Sequence, residues 1–135
     1  MINVKIALLV CGILLLSLIF KKKPYSFKKE LKKCESPIEV IMMGALENNG
    51  YQPYGQVECR GYRIDIAVYY KRKRIAIECD GKAFHSSHAQ RTHDETKNRV
   101  LKKEGWTVFR FTGSEINKDV QKCIQMINKY TKKKS

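Results

Sequence analysis

Two short stretches near the middle of this chain alternate in polarity, and each carries an acid on the same face. Across residues 62–69, Ile64, Ile66 and Val68 fall on one side, with Arg63, Asp65 and Ala67 on the other. Across residues 74–81, Ile75, Ile77 and Cys79 share one side, with Ala76, Glu78 and Asp80 opposite. The basic segment between them predicts an antiparallel hairpin. With its turn centred between Lys71 and Arg72, Ile66 meets Ile77, Ala67 meets Ala76, Arg63 meets Asp80, and Asp65 faces Glu78. Lys-Arg lacks the glycine or asparagine that a tight two-residue turn prefers, but a four-residue loop with the same centre preserves the pairing.

Facing carboxylates have Cβ atoms roughly 5 Å apart and repel each other. A hard divalent cation, Mg²⁺ or Mn²⁺, reverses that sign because it takes carboxylate oxygens. The alternative is that both acids are solvated on an exposed face. The small Ala67–Ala76 pair is expected to leave room above the acids for a substrate.

At 135 residues the chain allows one domain, and part of it is not available for a core. Residues 1–20 are apolar apart from Asn3, Lys5 and Ser17. As a helix, residues 2–20 rise about 28 Å, close to the roughly 30 Å of a bilayer core. A cleaved leader wants small residues at its end, yet Leu18-Ile19-Phe20 runs into Lys21-Lys22-Lys23. Bulky Leu9 and Val10 argue against lipid attachment at Cys11. The reading is an uncleaved single-pass transmembrane helix over 1–20, a basic juxtamembrane linker over 21–33, a folded domain over 34–130 and a basic tail over 131–135. Lysines crowd the C-terminal flank of the apolar run, so the positive-inside bias places the domain in the cytoplasm.

The formal net charge is +14, and Lys5 is the one charge in the apolar segment. So basic a domain suits a polyanion, either nucleic acid or the anionic leaflet beside the anchor. The five cysteines are odd in number and lack Cys-x-x-Cys spacing, so by pattern they make neither a disulfide framework nor a zinc knuckle. Reduced thiols fit a cytosolic domain.

Ser36, Pro37 and Glu39 stand at the N-cap, N1 and N3 positions of a predicted helix, whose apolar stripe is Ile38, Ile41, Met42 and Ala45. A strand around residues 56–60 precedes the two acidic strands. A helix over 88–104, a strand over 106–111 and a helix from Ser114 to Tyr130 follow. This order predicts an α/β fold with a mixed sheet and helices on its faces.

The order, with acids on the second and third strands, resembles the αβββαβ core of the PD-(D/E)xK restriction-endonuclease-like superfamily. The motifs that carry the resemblance are Glu35-Ser36-Pro37-Ile38-Glu39, Arg63-Ile64-Asp65, Ile77-Glu78-Cys79-Asp80-Gly81 with His85, Gln90-Arg91 with Asp94 and Lys97, and residues 105–112. Together they look like the small endonuclease domains related to very-short-patch-repair enzymes. The resemblance implies a metal-dependent nuclease with Mg²⁺ (or Mn²⁺) on Asp65 and Glu78, and Glu39 holding a second ion or a bridging water. It favours DNA over RNA without excluding RNA. The superfamily's lysine two residues after the second acid is replaced here by Asp80, which becomes a candidate third ligand, or simply part of an Asp-Gly turn. Lys97 is the candidate replacement cation, and His85 the candidate proton relay. Arg63, Arg91, Lys97 and Arg110 are the candidate phosphate contacts. Cutting both strands needs two sites, so a homodimer is compatible with this reading. A capping box alone also accounts for Glu39, and solvated helix positions account for Lys97 and Asp94. The rival function is a membrane-tethered nucleic-acid-binding module that has lost the chemistry.

Overall fold

The computed structural model describes residues 3–19, 24–81 and 88–133. Its elements are α1 (Val4–Ile19), α2 (Phe27–Leu31), α3 (Pro37–Asn48), β1 (Pro53–Cys59), β2 (Tyr62–Tyr70), β3 (Lys73–Asp80), α4 (His88–Lys103), β4 (Trp106–Thr112) and α5 (Gly113–Thr131). The strands form one sheet in the order β1-β2-β3-β4. The first three are antiparallel neighbours and β4 runs parallel to β3, so the sheet is mixed as expected.

The central hairpin has the expected centre. Ile66 pairs with Ile77, Ala67 with Ala76, and Tyr70 with Lys73. Only Lys71 and Arg72 lie between the strands, and Lys71 takes the left-handed conformation that glycine or asparagine would adopt more readily (φ 54°). Arg60 and Gly61, both at positive φ, turn β1 into β2.

Two apolar clusters sandwich the sheet. Ile66, Val68, Ile75, Ile77, Cys79 and Phe111 pack with Met42, Met43 and Leu46 of α3 and Ile116, Ile124 and Ile127 of α5. Burying each such large side chain favours folding by about 1.5–3 kcal/mol. Ala67, Ala76, Trp106 and Leu101 of α4 form the second cluster. Both alanines are wholly buried there, so the room expected above them for a substrate is filled by α4 and its neighbours.

Ile64 departs from the expected alternation. It packs with Ala67, Leu101 and Trp106 rather than with Ile66 and Val68. The two-residue period breaks at Asp65.

The last helix begins two residues earlier than expected. Thr112, not Ser114, is its N-cap, and Thr112 and Glu115 form a reciprocal capping box. Ahead of the sheet, α2 lies against β1, and its Phe27 and Leu31 pack against the first cluster. The Glu30 carboxylate accepts the Gly55 N–H at 3.1 Å. A Cβ at Gly55 would come within 2.9 Å of the Glu30 carbonyl, so only glycine permits this approach.

The expected transmembrane helix is not met among the described residues. α1 has 16 residues, a rise of about 24 Å against the roughly 30 Å of a bilayer core. No described helix is long and apolar enough to cross a membrane. Residues 1–2 and 20–23 of the expected anchor and its flank lie outside the described residues. All five cysteines are free, in keeping with the odd count.

Candidate active site

The break in alternation at Asp65 has a local cause. Its carboxylate Oδ2 accepts the backbone N–H of Cys79 at 2.8 Å, across the hairpin from its own strand. Asp65 is half-buried beside Glu78, itself only 3% exposed. Desolvation first, then the charge of Glu78, pushes the Asp65 carboxyl up to about 6; the Cys79 N–H and the Lys97 charge oppose the shift, and Glu39 adds to it.

Lys97 comes to this pair from α4. Lys97 and Leu101 are one helical turn apart on the same face, and Leu101 anchors that face in the Ala67–Ala76–Trp106 cluster. The Lys97 ammonium, 9% exposed, donates to Glu78 Oε2 in a buried ion pair. Glu78 Oε1 is buried without a hydrogen-bond partner among the described residues.

Glu39 approaches from the first turn of α3 and is 5% exposed. Ser36 Oγ donates to its Oε1 at 2.7 Å, while the Glu35 N–H and Gln56 Nε2 donate to its Oε2 at 3.0 and 2.8 Å. The cap is therefore real, since the Glu39 N–H also reaches Ser36 Oγ at 3.4 Å. The same carboxylate lies close enough to raise the Asp65 carboxyl.

Asp80 does not meet Arg63. Both Asp80 oxygens accept from Arg110 Nη1 at 3.1 Å, and Arg63 donates to Glu35 at 2.7 Å. β4 lies beside β3 with Arg110 paired to Glu78 in register, whereas the expected Arg63 contact sits beyond the point where the β2 alternation breaks. Arg110 also reaches Asn98 Oδ1 at 3.3 Å and Asp94 Oδ2 at 3.7 Å. Asp94 is thus engaged by Arg110 rather than by Lys97. Arg91 is exposed on α4. His85 lies outside the described residues. His93 packs near Tyr62, with ring centroids 5.6 Å apart.

Gln56 was not singled out from the sequence. Its flanking pairs, Gly55 with Ile66 and Val57 with Ile64, put it opposite Asp65 in register. The available signal was a polar residue on the strand before the first acid, joined to it by the tight Arg60-Gly61 turn.

Among the described residues no group of three or more His, Cys, Asp and Glu side chains converges as a metal cluster. Mg²⁺ does not require one, because it keeps several waters and binds through one or two carboxylates. Asp65 and Glu78 fit that requirement: the Glu78 Oε1 is an orphaned buried acceptor, and Asp65 carries charge at a cost that a cation would relieve. Cys79 does not fit as a ligand, since burial and the surrounding acids push its thiol up.

Residues 39–130 match the restriction endonuclease-like family REase_MTES_1575. The chain belongs to that family. No curated protein matches it. Among solved structures, it is similar to the catalytic domain of the homing endonuclease I-Bth0305I, with 23% identity over 71% of this chain and 94% of the other, and a TM-score of 0.56. That likeness supports the fold. A second structure, the protein of unknown function AF1548, matches at 19% identity over 67% of this chain and 54% of that one, with a TM-score of 0.40.

Two outcomes follow from the geometry. Asp65→Asn keeps an acceptor for the Cys79 N–H and removes the charge. The folded-state value of about 6 lies above the ordinary 3.8, so wild type loses stability as pH rises from about 4 to above 6. Asp65→Asn should therefore be more stable than wild type at pH 8, by about 1 kcal/mol or more, and the difference should vanish near pH 3.5 in denaturant titrations. A gain independent of pH would contradict the shift. Glu78→Ala, in contrast, leaves Lys97 buried and unpaired and should cost roughly 3 kcal/mol. Adding Lys97→Met to it should recover most of that loss, as measured by chemical denaturation.

Proposed function

We propose that this chain is a metal-dependent nuclease that hydrolyses phosphodiester bonds, with DNA as substrate and Mg²⁺ or Mn²⁺ as cofactor. The observation that carries the reading is the buried pairing of Lys97 with Glu78 beside Asp65. It brings an ammonium to the second acid in a chain that has Asp80 in place of the lysine usual in the superfamily it resembles. Membership of a restriction endonuclease-like family supports the reaction class. The closer kinship with very-short-patch-repair enzymes rests on the sequence motifs.

Asp65 and Glu78 would hold the ion, which supplies polarisation of a backbone phosphate and a more acidic water. The chain's own residues then have distinct tasks. Glu39, fixed by three donors, is positioned to orient water near Asp65. Lys97 offsets negative charge that develops on the phosphate. Exposed basic residues, Arg91 among them, hold the strand by its phosphates, which confers affinity without sequence information. Arg110 orders Asp80 and Asp94, a structural task that competes with direct phosphate contact. His85 as proton relay rests on the sequence.

The rival, a binding module on the same fold, draws on the engagement of Glu78 by Lys97 and of Asp80 by Arg110. Plasmid nicking by residues 21–135 with Mg²⁺ or Mn²⁺, against an EDTA control, separates the two. Asp65→Asn should abolish cutting. Lys97→Ala should slow it tenfold or more while barely changing DNA affinity. Loss of a mere phosphate contact would instead weaken binding and reduce the salt slope by roughly one. If wild type cuts under no metal condition, the binding module is the correct reading.

We also propose membrane attachment through the apolar N-terminus, with the domain on the cytoplasmic side. What supports it is the sequence of residues 1–20 with lysines 21–23 at its end, and the outward apolar surface of α1, where Val4 and Leu8 are 71% and 68% exposed. The full chain should pellet with membranes and resist high salt, whereas a chain starting at Lys21 should stay in the supernatant. Release of the full chain by salt alone would refute attachment.

A further inference from the structure

Gln56 combines three features that seldom coincide in the interior of a strand. It holds a left-handed backbone (φ 53°), a conformation unfavourable for residues other than glycine, asparagine and aspartate. Its side-chain Nε2 donates to the buried Glu39 carboxylate at 2.8 Å. Its Oε1 is buried and accepts no hydrogen bond from any described group. The amide orientation follows from the partner: Glu39 can only accept, so the nitrogen must face it and the oxygen must face away.

A residue with no task beyond folding would be expected to shed both the strain and the orphaned acceptor, since each costs stability. Register sets Gln56 opposite Asp65. Glu78, with its own orphaned oxygen, stands on the far side of β2 from Gln56. The acceptors left without donors thus belong to the two strands flanking Asp65. A cation, or a bound water that donates to them, is what would satisfy such a set.

We propose that Gln56 is a positioning residue of this site: its amide N–H orients the Glu39 carboxylate, and its carbonyl oxygen faces the water or ion shared with Asp65. The proposal rests on the metal-site reading above and adds a residue to it. The left-handed backbone is the means by which a side chain from β1 reaches the helix-borne Glu39 while β1 keeps its pairing with β2 on both sides.

The test is a double-mutant cycle read by Mn²⁺ binding in calorimetry, without DNA, on the full chain. Gln56→Leu should weaken Mn²⁺ binding about tenfold, the usual size for loss of a group that orients a metal-binding residue. Repeated on Glu39→Gln, which retains Asp65 and Glu78 for Mn²⁺, the same change should cost no more than about threefold, because the carboxylate it orients is gone and only the facing carbonyl oxygen is lost. If Gln56→Leu fails to fold, Gln56→Gly suits the positive φ and removes the same amide. An equal loss on both backgrounds, or none on either, overturns the proposal. Wild type that binds Mn²⁺ but cuts no DNA refutes the nuclease reading and leaves this one standing. Wild type that binds no Mn²⁺ overturns both.

Discussion

Lys97 and Glu78 belong to different layers of the protein, and their buried contact ties those layers together at the site. Glu78 is fixed by β3, in the middle of the sheet. Lys97 is fixed by α4, which is held to the sheet through Leu101. An ammonium and a carboxylate taken from water each carry a penalty of several kcal/mol, so neither is stable there without the other. The seating of α4 on the sheet and the charge state of the acids are consequently one problem. Shift α4 by a turn and Glu78 is left facing Asp65 with nothing between them.

Even with Lys97 in place, the acids are not balanced. Glu39, Asp65 and Glu78 stand against one ammonium, and desolvation, with repulsion by Glu78 and then Glu39 added to it, lifts the Asp65 carboxyl to about 6. Glu39 is compensated by three donors; Asp65 has the Cys79 N–H; Glu78 Oε1 has none among the described residues. A purely structural network would close that gap, because a partly satisfied buried polar cluster is worse than an apolar one. Strain and missing partners concentrated at a single place are common where a protein binds something.

Much of this was legible in the chain. Alternation marked the two acidic strands, and the turn centre set their register correctly from Ile66–Ile77 outward to the turn. The resemblance singled out Lys97 on α4, although a solvated helix position accounts for it equally well in the sequence and only its burial separates the two. The failures cluster at the acids themselves. Pattern reading assumes an unbroken two-residue period, but at Asp65 a side chain takes the Cys79 N–H, and at Gln56 the backbone turns left-handed. From there Ile64 changes clusters and Arg63 is carried to Glu35. The space expected above Ala67 and Ala76 vanished for another reason: small residues in a strand admit a close helix as readily as a substrate, and only tertiary packing decides which.

Charge at two scales resolves an apparent conflict in the molecule. The chain as a whole is strongly basic, while its buried centre is acidic. Basic groups on the surface act over about 8 Å at physiological ionic strength, enough to draw a polyanion to the protein. Within the partly dry site, each interaction is several times stronger than in water, so the acids dominate at contact distance. A phosphate drawn in by the surface would be repelled at the last few ångströms by Asp65 and Glu78 unless a cation stood between them. Lys97 alone is a poor mediator, since its charge is already committed to Glu78. An additional cation at the acids, as proposed above, would turn that final repulsion into attraction and so reconcile the basic surface and the acidic interior with one polyanionic ligand.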